Sequence, residues 1–159
     1  IKINYLIEDK PLGTAGALGL LPNNLKLPLI MMNGDLLTNV HFKNLLKFHN
    51  EGNQDISMCV RKHDIQVPYG VVECDDFDVK KIQEKPVKSF FVNAGVYVLN
   101  PEVFENLKKN QHIDMPELIE KEILKQKNVK IFPMHEYWID IGHIDNLKKA
   151  REELKKSNL

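Results

Sequence analysis

Two aspartates stand where strands run out into loops. Asp35 follows the apolar run in "PLIMMNGD", and Asp140 sits among apolar residues in "YWIDIG". The carboxyl ends of strands in open α/β sheets are where ligands gather. An aspartate beside glycine has an ordinary use as a turn or capping residue, and that reading is open for each alone. As a pair from distant strands they suit Mg²⁺, a hard ion that takes few carboxylates and completes its shell with water and phosphate oxygens. "EKP" at 84–86 sets an acid beside a base at a strand end. In a strand the two side chains point to opposite faces unless Pro86 bends the chain. They form either an exposed strand end or a working pair, Lys85 clamping a phosphate and Glu84 accepting hydrogen bonds from hydroxyls.

Two small-residue stretches raise a different question. "NAG" at 93–95 interrupts an otherwise bulky strand, which marks close approach by a ligand or by another backbone. "KPLGTAGALGLLP" at 10–22 places Gly13, Gly16 and Gly19 where a helix begins. Each glycine costs about 0.8–1.0 kcal/mol relative to Ala inside a helix, unless something must come close to the backbone there. The six histidines, His41, His49, His63, His112, His135 and His143, show no metal-ligand spacing and read as structural or exposed. Cys59 and Cys74 fall in strand-like segments without ligating neighbours, so both read as buried free thiols of a reducing compartment. No G-x-S-x-G and no Cys/His nucleophile pattern occurs.

These residues need elements to hold them. Alternation predicts a strand over "IKINYLIE", broken by Lys10-Pro11 before the glycine-rich helix start, and a buried strand over "PLIMM". Phe42, Leu45, Leu46 and His49 follow helical spacing up to Gly52. Four strands follow in "DISMCVRK", "YGVVECD", "VKKIQEK" and "FVNAGVYVLN". Pro101 and Pro116 then open short helices, the second running to about Gln126. "VKIFPM" and "EYWIDI" read as strands, and Ile144, Leu147, Ala150 and Leu154 stripe a terminal helix. The order predicts an α/β fold with a mostly parallel sheet flanked by helices.

The chain has 159 residues, enough for one core. Lys+Arg and Asp+Glu both number 22, a neutral total that argues against nucleic acid or an anionic membrane as main partner. No apolar run reaches the roughly 18 residues of a membrane span and no signal-peptide pattern is present, so a cytoplasmic location is expected.

In sequence order, "PLGTAGAL", "MNGDLLT", "YGVVE", "EKP", "FVNAGVYVLN" and "YWIDIGHIDNL" resemble the sugar-1-phosphate nucleotidyltransferase family, over about residues 4–150. The resemblance implies a Rossmann-like domain that joins a nucleoside triphosphate to a sugar 1-phosphate and releases pyrophosphate. It implies that Leu12, Gly13 and Thr14 pass beside the nucleotide base, Gly13 for close approach and Gly16 for helix–sheet packing. Asp35 and Asp140 match the family's Mg²⁺ ligands, so Mg²⁺ is the expected cofactor. Gly70 matches a backbone contact to the sugar, Glu84 a partner of its hydroxyls and Lys85 of its phosphate, and Asn93 lies on the strand lining the sugar pocket. Asp35, Lys85 and Asp140 are the expected catalytic residues.

Three departures shape the remaining expectations. The family's glycine-rich loop, with its Arg and later Lys, is not among these residues, His143 stands where many members have Thr, and no hexapeptide repeats follow residue 150. Residues 1–159 are therefore expected to be the C-terminal portion of a single nucleotidyltransferase domain that lacks its first βα unit. Alone, such a fragment should be inactive and should self-associate or form a homo-oligomer. A guanylyltransferase acting on mannose or amino-sugar 1-phosphate is the first expectation for the parent, with GTP as donor. A thymidylyltransferase using dTTP is next, and the alternative from another class is a non-catalytic regulatory or binding subunit that kept the fold.

Overall fold

A computed structural model describes residues 2–157. Its centre is a four-stranded sheet in the order β1-β6-β3-β7, comprising β1 (Leu29–Met32), β3 (Ile56–Gln66), β6 (Val87–Leu99) and β7 (Val129–Pro133). β1, β3 and β7 run in one direction, and β6 lies between β1 and β3, antiparallel to both. The cause is the connection. β3 reaches β6 through a hairpin, β4 (Val71–Asp75) with β5 (Asp78–Gln83), rather than a crossover helix, so the chain must return antiparallel. The sheet is thus parallel in the direction of most of its strands but mixed in its pairings.

Alternation divides the apolar residues between two faces. Tyr97 and Leu99 of β6 join Ile56 of β3 beneath α1 (Gly13–Gly16), its 3₁₀ continuation Ala17–Leu20, and α3 (Met115–Leu124). Ala94, Val96 and Val98 point the other way, joining Cys59, Val40 and, from α2 (Phe42–Glu51), Leu45. Helices therefore cover both faces, as a twice-buried sheet requires. Burial pushes the Cys59 thiol up to about 12, with the Glu136 charge acting in the same direction. Cys74, expected buried, is exposed, because β4 lies outside the central sheet.

The strand expected over "IKINYLIE" does not form among the described residues, and its first residue, Ile1, lies outside them. Alternation makes a strand only where an edge is there to pair with, and Ile3, Tyr5 and Ile7 project from residues 2–8 at 68%, 84% and 85% exposure. Conversely, a short strand that the sequence reading did not separate, β2 (Leu36–Thr38), pairs antiparallel with β8 (Trp138–Asp140). The terminal helix α4 (Ile144–Ser157) follows. His49, as expected, is structural. It is buried with Nδ1 2.8 Å from Ser57 Oγ and Nε2 3.1 Å from Asn100 Oδ1.

Candidate functional site

The β2–β8 pair carries the two aspartates. Leu36 sits opposite Asp140 in its register, and the Ile141 N–H donates to the Asp35 carbonyl at 2.8 Å. Both carboxylates then reach one point. A Cβ built on Gly142 would stand 3.0 Å from Asp35 Oδ2 and 3.1 Å from Asp140 Oδ1. Asp140 Oδ1 also accepts the Gly142 N–H at 2.8 Å, which fixes that carboxylate as an Asx turn does. The turn role and the pairing role, alternatives in the sequence, are here the same arrangement. Two carboxylates and a missing side chain make a cradle fit for a hard divalent ion, with the remaining coordination positions left to water or phosphate. Among the described residues no cluster of three or more His, Cys, Asp or Glu side chains forms an all-protein metal cage.

The "NAG" stretch abuts this edge. Pairing between β3 and β6 slips from Met58–Tyr97 to Val60–Asn93, so Ala94–Val96 bulge opposite a single residue. Gly95 takes φ +69°, and a Cβ there would lie 2.9 Å from both Asn33 Nδ2 and Leu36 Cδ1. The close approach foreseen at this stretch is made by the Asn33–Leu36 turn itself. Asn33 donates its N–H to the Gly95 carbonyl at 2.9 Å, and Trp138 Nε1 donates to the Ala94 carbonyl at 2.8 Å. The bulge is thereby tied to both aspartate-bearing segments. Asn93 is pinned along its own strand, its Oδ1 accepting from Gly95 N at 2.9 Å and its Nδ2 donating to Tyr97 Oη at 2.6 Å.

Thr14 lines one open cavity together with Met31, Met32, Asn33, Gly34 and Asp35. The neighbouring glycines answer to the protein's own backbone. A Cβ would meet the Ile113 carbonyl at 2.6 Å from Gly13, the Gln111 carbonyl at 2.8 Å from Gly16 and the Lys108 carbonyl at 2.8 Å from Gly19. Gly13 also adopts φ +80°. Packing at Gly16 is therefore against Leu12 and the Gln111 carbonyl rather than the sheet. Leu12 is buried, and its carbonyl accepts the Ile113 N–H at 2.9 Å.

Gly70, Glu84 and Lys85 form a separate group at the far end of the β3–β6 ribbon. Lys85 donates its N–H to the Tyr69 carbonyl at 3.2 Å, and a Cβ on Gly70 would lie 3.1 Å from Glu84 Oε2. Lys85 has φ +43°, so the chain does bend before Pro86, and the strict opposition of Glu84 and Lys85 is relieved. Both side chains are exposed and free to meet a ligand.

The sequence reading missed Asn33, Trp138 and Asp114. Trp138 stands two residues before Asp140, on the same face of a strand, and that spacing was a usable signal. Asp114 before Met115-Pro116 signalled a helix cap, and nothing local announced its partner at Thr14.

The chain is similar to known proteins in sequence and in fold. The family described as Nucleotidyl transferase matches residues 1–157. A mannose-1-phosphate guanyltransferase of Pichia angusta is 33% identical over 155 residues, covering 89% of this chain and 41% of the relative. A mannose-1-phosphate guanylyltransferase catalytic subunit beta of Drosophila pseudoobscura pseudoobscura is 32% identical over 152 residues, covering 89% of this chain and 40% of its own. The chain thus spans about two fifths of the length of these relatives. The crystal structure of HddC from Yersinia pseudotuberculosis superposes with a TM-score of 0.68 at 27% identity, covering 96% of this chain and 67% of that one. HddC has also been solved complexed with GMP-PN.

Proposed function

Because the chain belongs to the nucleotidyl transferase family, we propose that it carries the metal-binding and sugar-phosphate-binding residues of a sugar-1-phosphate nucleotidyltransferase that uses GTP. The observation that carries the reading is the convergence of the Asp35 and Asp140 carboxylates over Gly142. Relatives named as mannose-1-phosphate guanyltransferases and a structural neighbour complexed with GMP-PN support guanylyl transfer to mannose or a related sugar 1-phosphate.

In the reaction a sugar-phosphate oxygen attacks the α-phosphorus of the triphosphate. One P–O bond forms, the bond to the bridging oxygen breaks, and pyrophosphate leaves with the electron pair. Such chemistry asks the protein for positioning and charge neutralisation rather than covalent help. Asp35 and Asp140 would hold Mg²⁺, which when bound offsets phosphate charge and orients the reacting groups. Lys85 supplies a point charge to the sugar phosphate, and Glu84 and the Gly70 backbone hold sugar hydroxyls. Asn93 contributes to the sugar side of the pocket from the bulged strand. Thr14 faces the nucleotide from the cavity wall, with buried Leu12 and Gly13 behind it holding the turn in place.

The test is pyrophosphate release by the full-length protein with GTP, dTTP or UTP against mannose and glucose 1-phosphates, with and without Mg²⁺. GTP-dependent, Mg²⁺-dependent release that is lost in Asp140→Ala is expected. Release at the wild-type rate in that variant refutes the metal assignment.

A further inference from the structure

We propose that Asp114 is a positioning residue for the nucleotide-facing wall, an inference that rests on the function proposed above. Asp114 is the N-cap residue of α3, yet its side chain does not cap its own helix. Its Oδ1 instead accepts the Thr14 N–H at 2.9 Å and the Thr14 hydroxyl at 3.3 Å. Thr14 Oγ1 in turn accepts the Met115 N–H at 2.8 Å. Each residue thus caps the other's helix, across 100 positions of sequence.

The exchange matters because α1 cannot hold its own place. It has four residues, far below the length at which a helix sustains itself, and Gly13 before Thr14 is free to adopt many conformations. What fixes the Leu12–Thr14 turn is its docking on the start of α3. The Ile113 N–H donates to the Leu12 carbonyl at 2.9 Å and the Ala15 N–H to the Ile113 carbonyl at 3.0 Å, with the Asp114 clasp between them. Thr14, the residue of this turn that lines the cavity, shares it with Asn33, Gly34 and Asp35. Asp114 touches that cavity only through Thr14, so its loss should disorder one wall while leaving Asp35, Asp140 and Lys85 in place.

The experiment compares steady-state kinetics and thermal stability of full-length wild type, Asp114→Ala and Asp114→Asn. Removal of the acceptor should raise KM for the nucleoside triphosphate about tenfold, with KM for the sugar phosphate within about twofold. Asp114→Asn, which keeps Oδ1 as an acceptor, should recover most of that loss. Thr14→Val, which removes the other half of the exchange, should give the same selective rise and serves alone if Asp114→Ala does not fold. Equal rises in both KM values, or a loss that Asn does not recover, would mean that Asp114 is a fold element only. A wild-type protein that neither binds nor turns over any nucleoside triphosphate overturns the proposed function itself, and this inference with it.

Discussion

Ile141 donates its backbone N–H to the carbonyl of Asp35 at 2.8 Å, and this bond extends the β2–β8 ladder to the two aspartates. It sets Asp35, in the turn just before β2, beside Asp140 at the end of β8, and both carboxylates lean toward one glycine. The site is consequently most vulnerable at a residue that carries no functional group. Gly142→Ala would drive a methyl to 3.0–3.1 Å from both carboxylate oxygens. The exposed loop should tolerate it with a stability change of about 0.5 kcal/mol or less. Mg²⁺-dependent turnover should nevertheless fall by two orders of magnitude or more, roughly the 2.7 kcal/mol equivalent of one lost electrostatic contact in the transition state. Titrating Mg²⁺ against initial rate measures this, and an unchanged Mg²⁺ half-saturation would disconnect Gly142 from the metal.

Gly13 makes the contrasting case, a glycine needed for stability. A side chain there must tolerate φ +80° and a contact of 2.6 Å with the Ile113 carbonyl, which is backbone and cannot swing aside. Strain of about 1–2 kcal/mol from the left-handed conformation alone is compounded by displacement of the 111–114 segment. Gly13→Ala should therefore destabilise by more than about 2 kcal/mol. Gly34, with no atom within 4 Å of a built Cβ, should accept Ala with little change. Urea midpoints of the two variants, at equal m-value, decide the matter.

Much of this was legible in the sequence where a local pattern carries the information. The strand read over "FVNAGVYVLN" is the C-terminal part of β6, though not its start at Val87, and helical spacing located α2 up to Gly52. Asp35 and Asp140 were recognisable as a pair because each ends an apolar run beside glycine. What sequence could not carry is identity of neighbours. Gly13, Gly16 and Gly19 declared that something approaches, but Ile113, Gln111 and Lys108 are nearly a hundred residues away. The same distance hid the Thr14–Asp114 exchange. "IKINYLIE" failed for the opposite reason, since its local pattern is sound but residues 2–8 pair with no described strand.

Lys85 allows backbone strain and charge to be separated. Its φ of +43° costs energy for any side chain. Lys85→Gly relieves that strain while loosening the unfolded chain, so the two effects should offset to within about 1 kcal/mol. The missing ammonium should still raise KM for the sugar phosphate well above wild type with nucleotide KM little changed, because uniform binding is lost only for the substrate touched. Lys85→Arg restores charge without restoring the point-like geometry and should recover part of the loss. Equal damage to both KM values in Lys85→Gly would place the residue outside the sugar-phosphate site.

Asp55 ties pH to the pairing that aligns the sheet. Its Oδ2 accepts the Asn128 N–H at 2.8 Å and its Oδ1 meets Lys127 Nζ at 3.0 Å, at the entry to the parallel β3–β7 pair. Burial pushes this carboxyl up, but the Asn128 N–H and the Lys127 ammonium outweigh it and hold the group below its usual value. A carboxyl lowered in the folded state contributes stability above its unfolded value of about 3.9, and loses it as pH falls through the folded one. The fold should accordingly weaken on acidification below about pH 4, by an amount near that of a half-exposed ion pair, about 1 kcal/mol or less from this group. Asp55→Asn keeps an acceptor for Asn128 but no charge for Lys127. It should be less stable than wild type at neutral pH, with the gap closing as wild type becomes protonated. Thermal midpoints of both proteins between pH 7 and pH 3 follow the closing gap, and a difference independent of pH would show that Asp55 acts through hydrogen bonding alone.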